Sequence, residues 1–158
     1  MKNTLLLLLL FSVQYSFAQQ QAYITYKPCA FSVSLPATMK PVKMYEDKSL
    51  DYCDYEVNTK SGIMIELHAI SRQRSETDEL KEMYRSALQH IDMVVSYKTI
   101  VADFFVISGT DNRTGRIVYW KRVVGNQFIS DLRIEYDKNN KSAIEHHLGK
   151  ISKSFRCD

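Results

Sequence analysis

Five glycines and three prolines in 158 residues are too few for a collagen-like repeat or a low-complexity linker. Neither sign of charge dominates: 21 Lys and Arg stand against 18 Asp and Glu, a net charge of +3. A chain so balanced lacks the basic footprint of a nucleic-acid binder. There is no Gly-x-Ser-x-Gly elbow, since neither Ser61 before Gly62 nor Ser108 before Gly109 has that frame. There is no glycine-rich phosphate loop either, because Gly109 and Gly115 flank a hairpin rather than open a helix. Cys29, Cys53 and Cys157 are spaced too widely for a Cys-x-x-Cys redox motif or a zinc knuckle. With 45% hydrophobic and 25% charged residues, what remains is one ordinary globular domain behind an address.

The address is a leader. Lys2 gives a positive start, Leu5 to Phe11 is an unbroken apolar run, and Ser16-Phe17-Ala18 supplies small residues where a signal peptidase reads. Cleavage is expected after Ala18, leaving residues 19–158 as a single domain. Even extended to Val13, the run is about half of the roughly 20 residues that span a bilayer. No Cys follows it, so a lipid anchor at that point is excluded. The expected location is the periplasm or the outside of the cell, without stable membrane insertion.

Period-two runs come first. Tyr23 to Tyr26 and Phe31 to Leu35 read as strands, the second stopping at Pro36. A weaker extended piece follows at Val42 to Tyr45. Leu50 to Thr59 reads as the strand that begins the main sheet, and Lys60-Ser61-Gly62 turns it into Ile63 to Ile70. The period then changes to 3.6. Leu80, Met83, Tyr84, Ala87, Leu88 and Ile91 form one helical stripe, with Ser75 as N-cap and Glu76, Asp78 and Glu79 at the positive end of the dipole. Three meander strands follow, Phe104 to Gly109, Arg116 to Val124 and Gln127 to Tyr136, the last two joined by Gly125-Asn126. A closing helix spans about Lys141 to Phe155, with Asn140 available as cap.

Phe104 to Ile107 and Ile63 to Ile65 are apolar at consecutive positions, which predicts strands covered on both faces. Asp131 to Glu135 alternates, which predicts an outer strand. The fold class expected is α+β, an antiparallel meander sheet with one helix on each face. This order of elements, from the Phe31-Ser32-Val33-Ser34-Leu35-Pro36 strand through the Gly115-Arg116-Ile117-Val118-Tyr119-Trp120 meander to Ser154-Phe155, resembles the Mog1/PsbP-like fold. The chain departs from that pattern in Met39, where a Trp often follows the Pro, and in a Cys at each end. The resemblance implies non-catalytic binding and names no partner.

Residue chemistry points the same way. His146 and His147 are adjacent on a helix, about 100° apart, and cannot jointly grip one ion. His147 falls near the apolar stripe. His68 shares a strand face with Glu66, and a cross-strand hydrogen bond accounts for both. His90 sits late in its helix, where a cation suits the dipole. The carboxylate pairs Asp51 with Asp54 and Glu46 with Asp47 alternate with lysines as solvated hairpins do. Asn112-Arg113-Thr114 is a glycosylation sequon that matters only in a eukaryote. No residue set demands a cofactor or a metal. The candidate partner-binding cluster is Arg113, Arg116, Tyr119, Trp120, Lys121 and Arg122 on one hairpin, rich in the residue types of binding hot spots. Its competing reading is a Trp120 plugged into the core among edge charges.

For the cysteines the favoured pairing is Cys29–Cys157, tying both frayed ends and leaving Cys53 as a buried thiol; Cys29–Cys53 is the runner-up. The leading functional reading is an envelope or secreted interaction module with a protein partner. The alternatives are a small-molecule or lipid carrier, with a cavity between sheet and helix lined by Met64, Met83, Tyr84 and Met93, and an enzyme whose site one sequence does not expose.

Overall fold

A computed structural model describes residues 22–48, 51–72 and 79–157. The elements are β1 (Tyr23–Tyr26), β2 (Phe31–Pro36), β3 (Val42–Asp47), β4 (Tyr52–Asn58), β5 (Met64–Ser71), α1 (Glu79–His90), β6 (Met93–Ile100), β7 (Phe104–Asp111), β8 (Ile117–Val124), β9 (Phe128–Tyr136), α2 (Lys141–Ser154) and β10 (Arg156–Cys157). Seven strands form one antiparallel sheet in the order β3-β4-β5-β9-β8-β7-β6, and β1-β2-β10 form a small second sheet. The large sheet is two meanders, β3 to β5 and β6 to β9, zipped together where β9 lies against β5. The fold is α+β. The leader and the Ser75 cap with Glu76 and Asp78 lie outside the described residues.

Alternation along the strands sorts side chains to two faces. On one face, Ile65, Leu67, Ala69, Leu132 and Ile134 meet Phe31, Val33 and Leu35 of β2, Ile144 and Ile151 of α2, and Phe155 at the C-cap of α2, forming the main core. Met39, in the position where the resembling family often carries Trp, is buried there too. On the other face, α1 lays Leu80, Met83, Tyr84 and Leu88 over Phe105 and Ile107. Each helix therefore covers one face. Their cover is offset: α1 lies over the β6–β8 side, while α2 and the small sheet lie over the β5, β9 and β8 side.

That offset corrects one expectation. The alternating strand Asp131 to Glu135 is not an outer one; β9 is the fourth of seven, at the middle of the sheet. It alternates because one of its faces meets the core while its opposite face is polar. Alternation reports which faces are covered, not distance from the edge. Phe105, Val106 and Ile107 of β7 are buried on both faces, as their apolar run predicts.

The cysteine pairing is also corrected. The disulfide joins Cys29 and Cys53, with Cα atoms 6.6 Å apart, and Cys157 is the free thiol. The expected burial of Cys53 holds, at 1% exposure, but it is spent on a bond. Cys157 pairs in register with Phe31, and its thiol donates to the Phe128 carbonyl (3.1 Å). The reason is layering: Cys53 faces the core beside Val57 and Ala69, where the β1–β2 connection carrying Cys29 packs against β4. Two further differences are local. β6 is a strand absent from the meander expected, and α2 is led in by a 3₁₀ turn at Lys138–Asn140 capped by Asp137, whose carboxylate accepts from the Asn139 amide (3.2 Å). Asn140 makes no side-chain cap; its amide donates to the Ser61 carbonyl (2.5 Å) and pins the turn before β5.

Candidate functional site

The six hairpin residues do not form one surface. Tyr119 and Lys121 point to the α2 face, Trp120 and Arg122 to the α1 face, because neighbours on a strand alternate. The Tyr119 hydroxyl lies 2.5 Å from that of Ser152. Lys121 is 3% exposed and donates to the carbonyls of Ser152 (2.8 Å) and Phe155 (3.3 Å), closing the C-terminal end of α2. Burial, with Arg156 nearby, pulls its ammonium below the usual lysine range. On the opposite face Asp131 accepts from the Trp120 indole (2.9 Å) and from both arms of Arg122 (2.8 and 2.7 Å). The Arg122 guanidinium lies over the Trp120 ring, which meets Phe105 edge-on. Arg116 donates to the carbonyls of Gly62 (2.6 Å) and Glu135 (3.1 Å), lacing a turn to β9. Arg113, exposed at the hairpin tip, makes no side-chain hydrogen bond among the described residues, and its charge acts on Asp111.

The face beyond the reach of α1 is a lattice of paired charges. Asp54 sits 3.1 Å from His68 across β4 and β5, so the partner of His68 is this carboxylate rather than Glu66. Glu66 and Glu135 flank Arg133, the latter at 2.5 Å. Burial pushes the Glu66 carboxyl above its usual range, with Arg133 opposing. No three His, Cys, Asp or Glu among the described residues are grouped to hold a metal ion. His146 bonds to the Ser142 carbonyl, while Nδ1 of His147, a residue 4% exposed, lies 2.5 Å from the Tyr23 hydroxyl.

Several concavities border the helices. A cleft of about 340 Å³ opens at the C-terminal end of α1, floored by Ala87, Ile91, Met93, Val118 and Trp120 and edged by His90, Asp92, Asp111 and Arg133. The methionine-lined cavity expected from the sequence is dispersed: Met93 lines this cleft, Met83 and Tyr84 pack under α1, and Met64 sits on β5 between Asn58 and Glu135. A wider groove of about 550 Å³ runs between α2 and the β6–β7 margin, lined by Tyr97, Val101, Phe104, Val106, Tyr119 and Leu148.

That groove borders an open strand. β6 ends the large sheet; Val94 and Tyr97 are 66% and 57% exposed along it, and Val101, just past its end, is 48% exposed. Its outward N–H and C=O groups have no strand beside them among the described residues. Lys98 is its single charge, whereas the opposite edge, β3, carries Lys43, Glu46 and Asp47. The sequence reading passed over β6. Its signal was the Val94-Val95 pair followed by Tyr97, an alternation broken by a bulge between Val95 and Tyr97.

No family model matches this chain, and no curated protein matches its sequence. Solved structures do match. LpqN, involved in cell envelope biogenesis of Mycobacterium tuberculosis, superposes with a TM-score of 0.53 at 11% identity, over 85% of this chain and 89% of that one. The two chains have related folds. At 11% identity the likeness is one of architecture.

Proposed function

We propose that this chain is an exported, non-catalytic protein-binding module of the cell envelope. The observation that carries the reading is the β6 margin: an edge strand unpaired on its outer side among the described residues, whose exposed apolar side chains border a groove. Such an edge accepts an extended segment of a partner protein as an eighth strand. Main-chain hydrogen bonds would hold the segment, and its alternate side chains would enter the groove. Export is supported by the leader and by the Cys29–Cys53 disulfide, which fits an oxidising compartment. The structural neighbour LpqN is involved in cell envelope biogenesis, which accords with that address. A Mog1/PsbP-like kinship accords with the α+β layering and belongs to the same proposal. Binding rather than catalysis is supported by the polar face, where Asp131, Arg122, Glu135 and Arg133 are committed to one another.

The test is site-specific photocrosslinking in the native envelope, from position 94 or 97 on β6 and from position 146 on α2 as comparison. The expected result is a discrete protein adduct from β6 alone, lost when Val101→Lys and Thr99→Pro are introduced together to block the edge. Equal adducts from both positions, or adducts indifferent to the blocking pair, would overturn the edge as the docking surface.

A further inference from the structure

The β6 edge has two faces, and they differ in charge. Register sorts its side chains: Tyr97 and Thr99 lie opposite Ser108 and Val106 of β7 on the α2 face, while Lys98 and Ile100 lie opposite Ile107 and Phe105 on the α1 face. The α2-face groove is balanced. Its floor is apolar, and of its two charged rim residues Glu145 is paired with Lys141 (3.3 Å) while Lys153 has the opposite sign. A second groove, of about 580 Å³, lies on the α1 face between Ile100 to Ala102 at the sheet margin and Leu80, Tyr84 and Arg85 of α1.

That second face is basic. The flank of α1 toward β6 carries Lys81 and Arg85, whereas Glu82 lies on the flank toward Trp120 and Arg122, and Glu79 is held by Arg72 at 2.6 Å. Lys98 projects from the same face two residues before Ile100. Lys81 is already engaged, but Arg85 and Lys98 are exposed and make no ion pair among the described residues. Carboxylates near the strand are placed elsewhere: Asp103 acts on Lys121 under α2, and Asp92 and Asp111 stand at the opposite end of β6, beside Met93. A single lysine on an edge strand is ordinary protection against pairing. Here a separate element, α1, sets Arg85 over the same face.

Resting on β6 as the docking edge, we infer that the partner segment is an acidic amphipathic strand. Its apolar residues, at alternate positions, face Tyr97 and Phe104, and Asp or Glu at the positions between face Lys98 and Arg85. A strand apolar on both faces would leave the two cations without partners. A second copy paired antiparallel about this end of β6 would bring Lys98 close to its own image, and like charges opposite one another destabilise a strand pair. An acidic strand meets both cations while its other face fills the apolar groove.

The mature protein is titrated by fluorescence anisotropy with a short labelled peptide of alternating Val and Glu, and with Val–Thr and Val–Lys counterparts. The expected order is Val–Glu tightest and Val–Lys weakest. The acidic peptide should lead the neutral one by roughly three- to tenfold, as two exposed charge pairs imply. Added salt should shrink that lead. Arg85→Glu combined with Lys98→Glu should reverse the order in a chain whose thermal midpoint is nearly unchanged. No saturable binding of the acidic peptide would overturn the inference. So would a neutral peptide binding as tightly, or an order indifferent to the double reversal in a folded chain. The docking edge itself is judged separately, with Val101→Lys and Thr99→Pro together. Three peptides that bind equally and are all lost in that blocked chain would keep the edge and remove its preference for acid. Binding indifferent to the block would overturn both.

Discussion

Lys121 and His147 are polar residues that the fold places inside, each with a definite task. The ammonium of Lys121 donates to the Ser152 and Phe155 carbonyls at the end of α2, the second of which Arg156 also reaches at 3.4 Å. Lys121→Met keeps a side chain of similar length but removes the donor and the charge that lies over the Phe104 ring. Leaving buried acceptors unsatisfied costs about 1–3 kcal/mol, and denaturant unfolding should show a loss in that range. His147 is held neutral: burial pulls its pKa below the ordinary value, and the neighbouring charges of His146 and Lys150 add to the effect. The unfolded chain takes up a proton near pH 6.5 that the folded chain resists. The contribution of His147 is therefore complete above that pH and is lost as the pH falls toward its lower folded value. The melting temperature should drop between about pH 7 and pH 5.5 with a slope that His147→Asn reduces, since the other histidines are common to both chains. Identical slopes would remove His147 from the account.

Among the elements, β6 is held to the sheet by a close approach at its bulge. A Cβ on Gly109 of β7 would stand 2.2 Å from the Val94 carbonyl oxygen, a backbone atom that cannot swing aside. Gly109→Ala should therefore push β6 away from β7 and destabilise the chain by about 1–3 kcal/mol, the usual cost of overpacking. Amide hydrogen exchange should show protection falling in Met93–Ile100 while β8 and β9 keep theirs. Uniform loss across the sheet, or none, would contradict this account of how the edge is held. The same bulge explains why the strand was hard to read from sequence. A one-residue slip breaks period two midway, so Met93 to Val95 and Tyr97 to Ile100 look like fragments of a connection.

In the whole molecule the disulfide links two layers, from the connection between β1 and β2 of the small sheet to β4 near the margin of the large one. It closes a loop of 24 residues in sequence separation, for which the chain-entropy account gives about 3–4 kcal/mol. Replacing Cys29 and Cys53 by Ser should lower unfolding stability by an amount of that order. Cys157→Ser should cost far less, since its thiol makes only weak contacts to Ser130 and Phe128. Non-reducing peptide mapping should recover a Cys29–Cys53 crosslink, and a crosslinked peptide containing Cys157 would refute the pairing. The offset of the two helices operates at this scale as well. It leaves one diagonal quarter of the sheet polar and paired, around Glu66 and Arg133, and the other apolar and open, around Tyr97 and Phe104.

Local pattern by itself determined the α+β class, the helical stripe from Leu80 to Ile91, the closing helix and the strands from Phe31 through Tyr136 other than β6. Each of these follows from the period of its own side chains, which a single segment carries. Local pattern also marked Trp120 and its basic neighbours as unusual, but it could not separate them. Alternation sent Lys121 under α2 and Arg122 to Asp131, so an apparent cluster of six became two structural supports on opposite faces. Tertiary structure alone decided which cysteine meets Cys29, that the alternating β9 lies at the centre, and that the open surface falls at β6. Those outcomes depend on how layers stack and how far each helix reaches across the sheet. Such distances are set by packing between segments remote in the chain, and no window of sequence contains them.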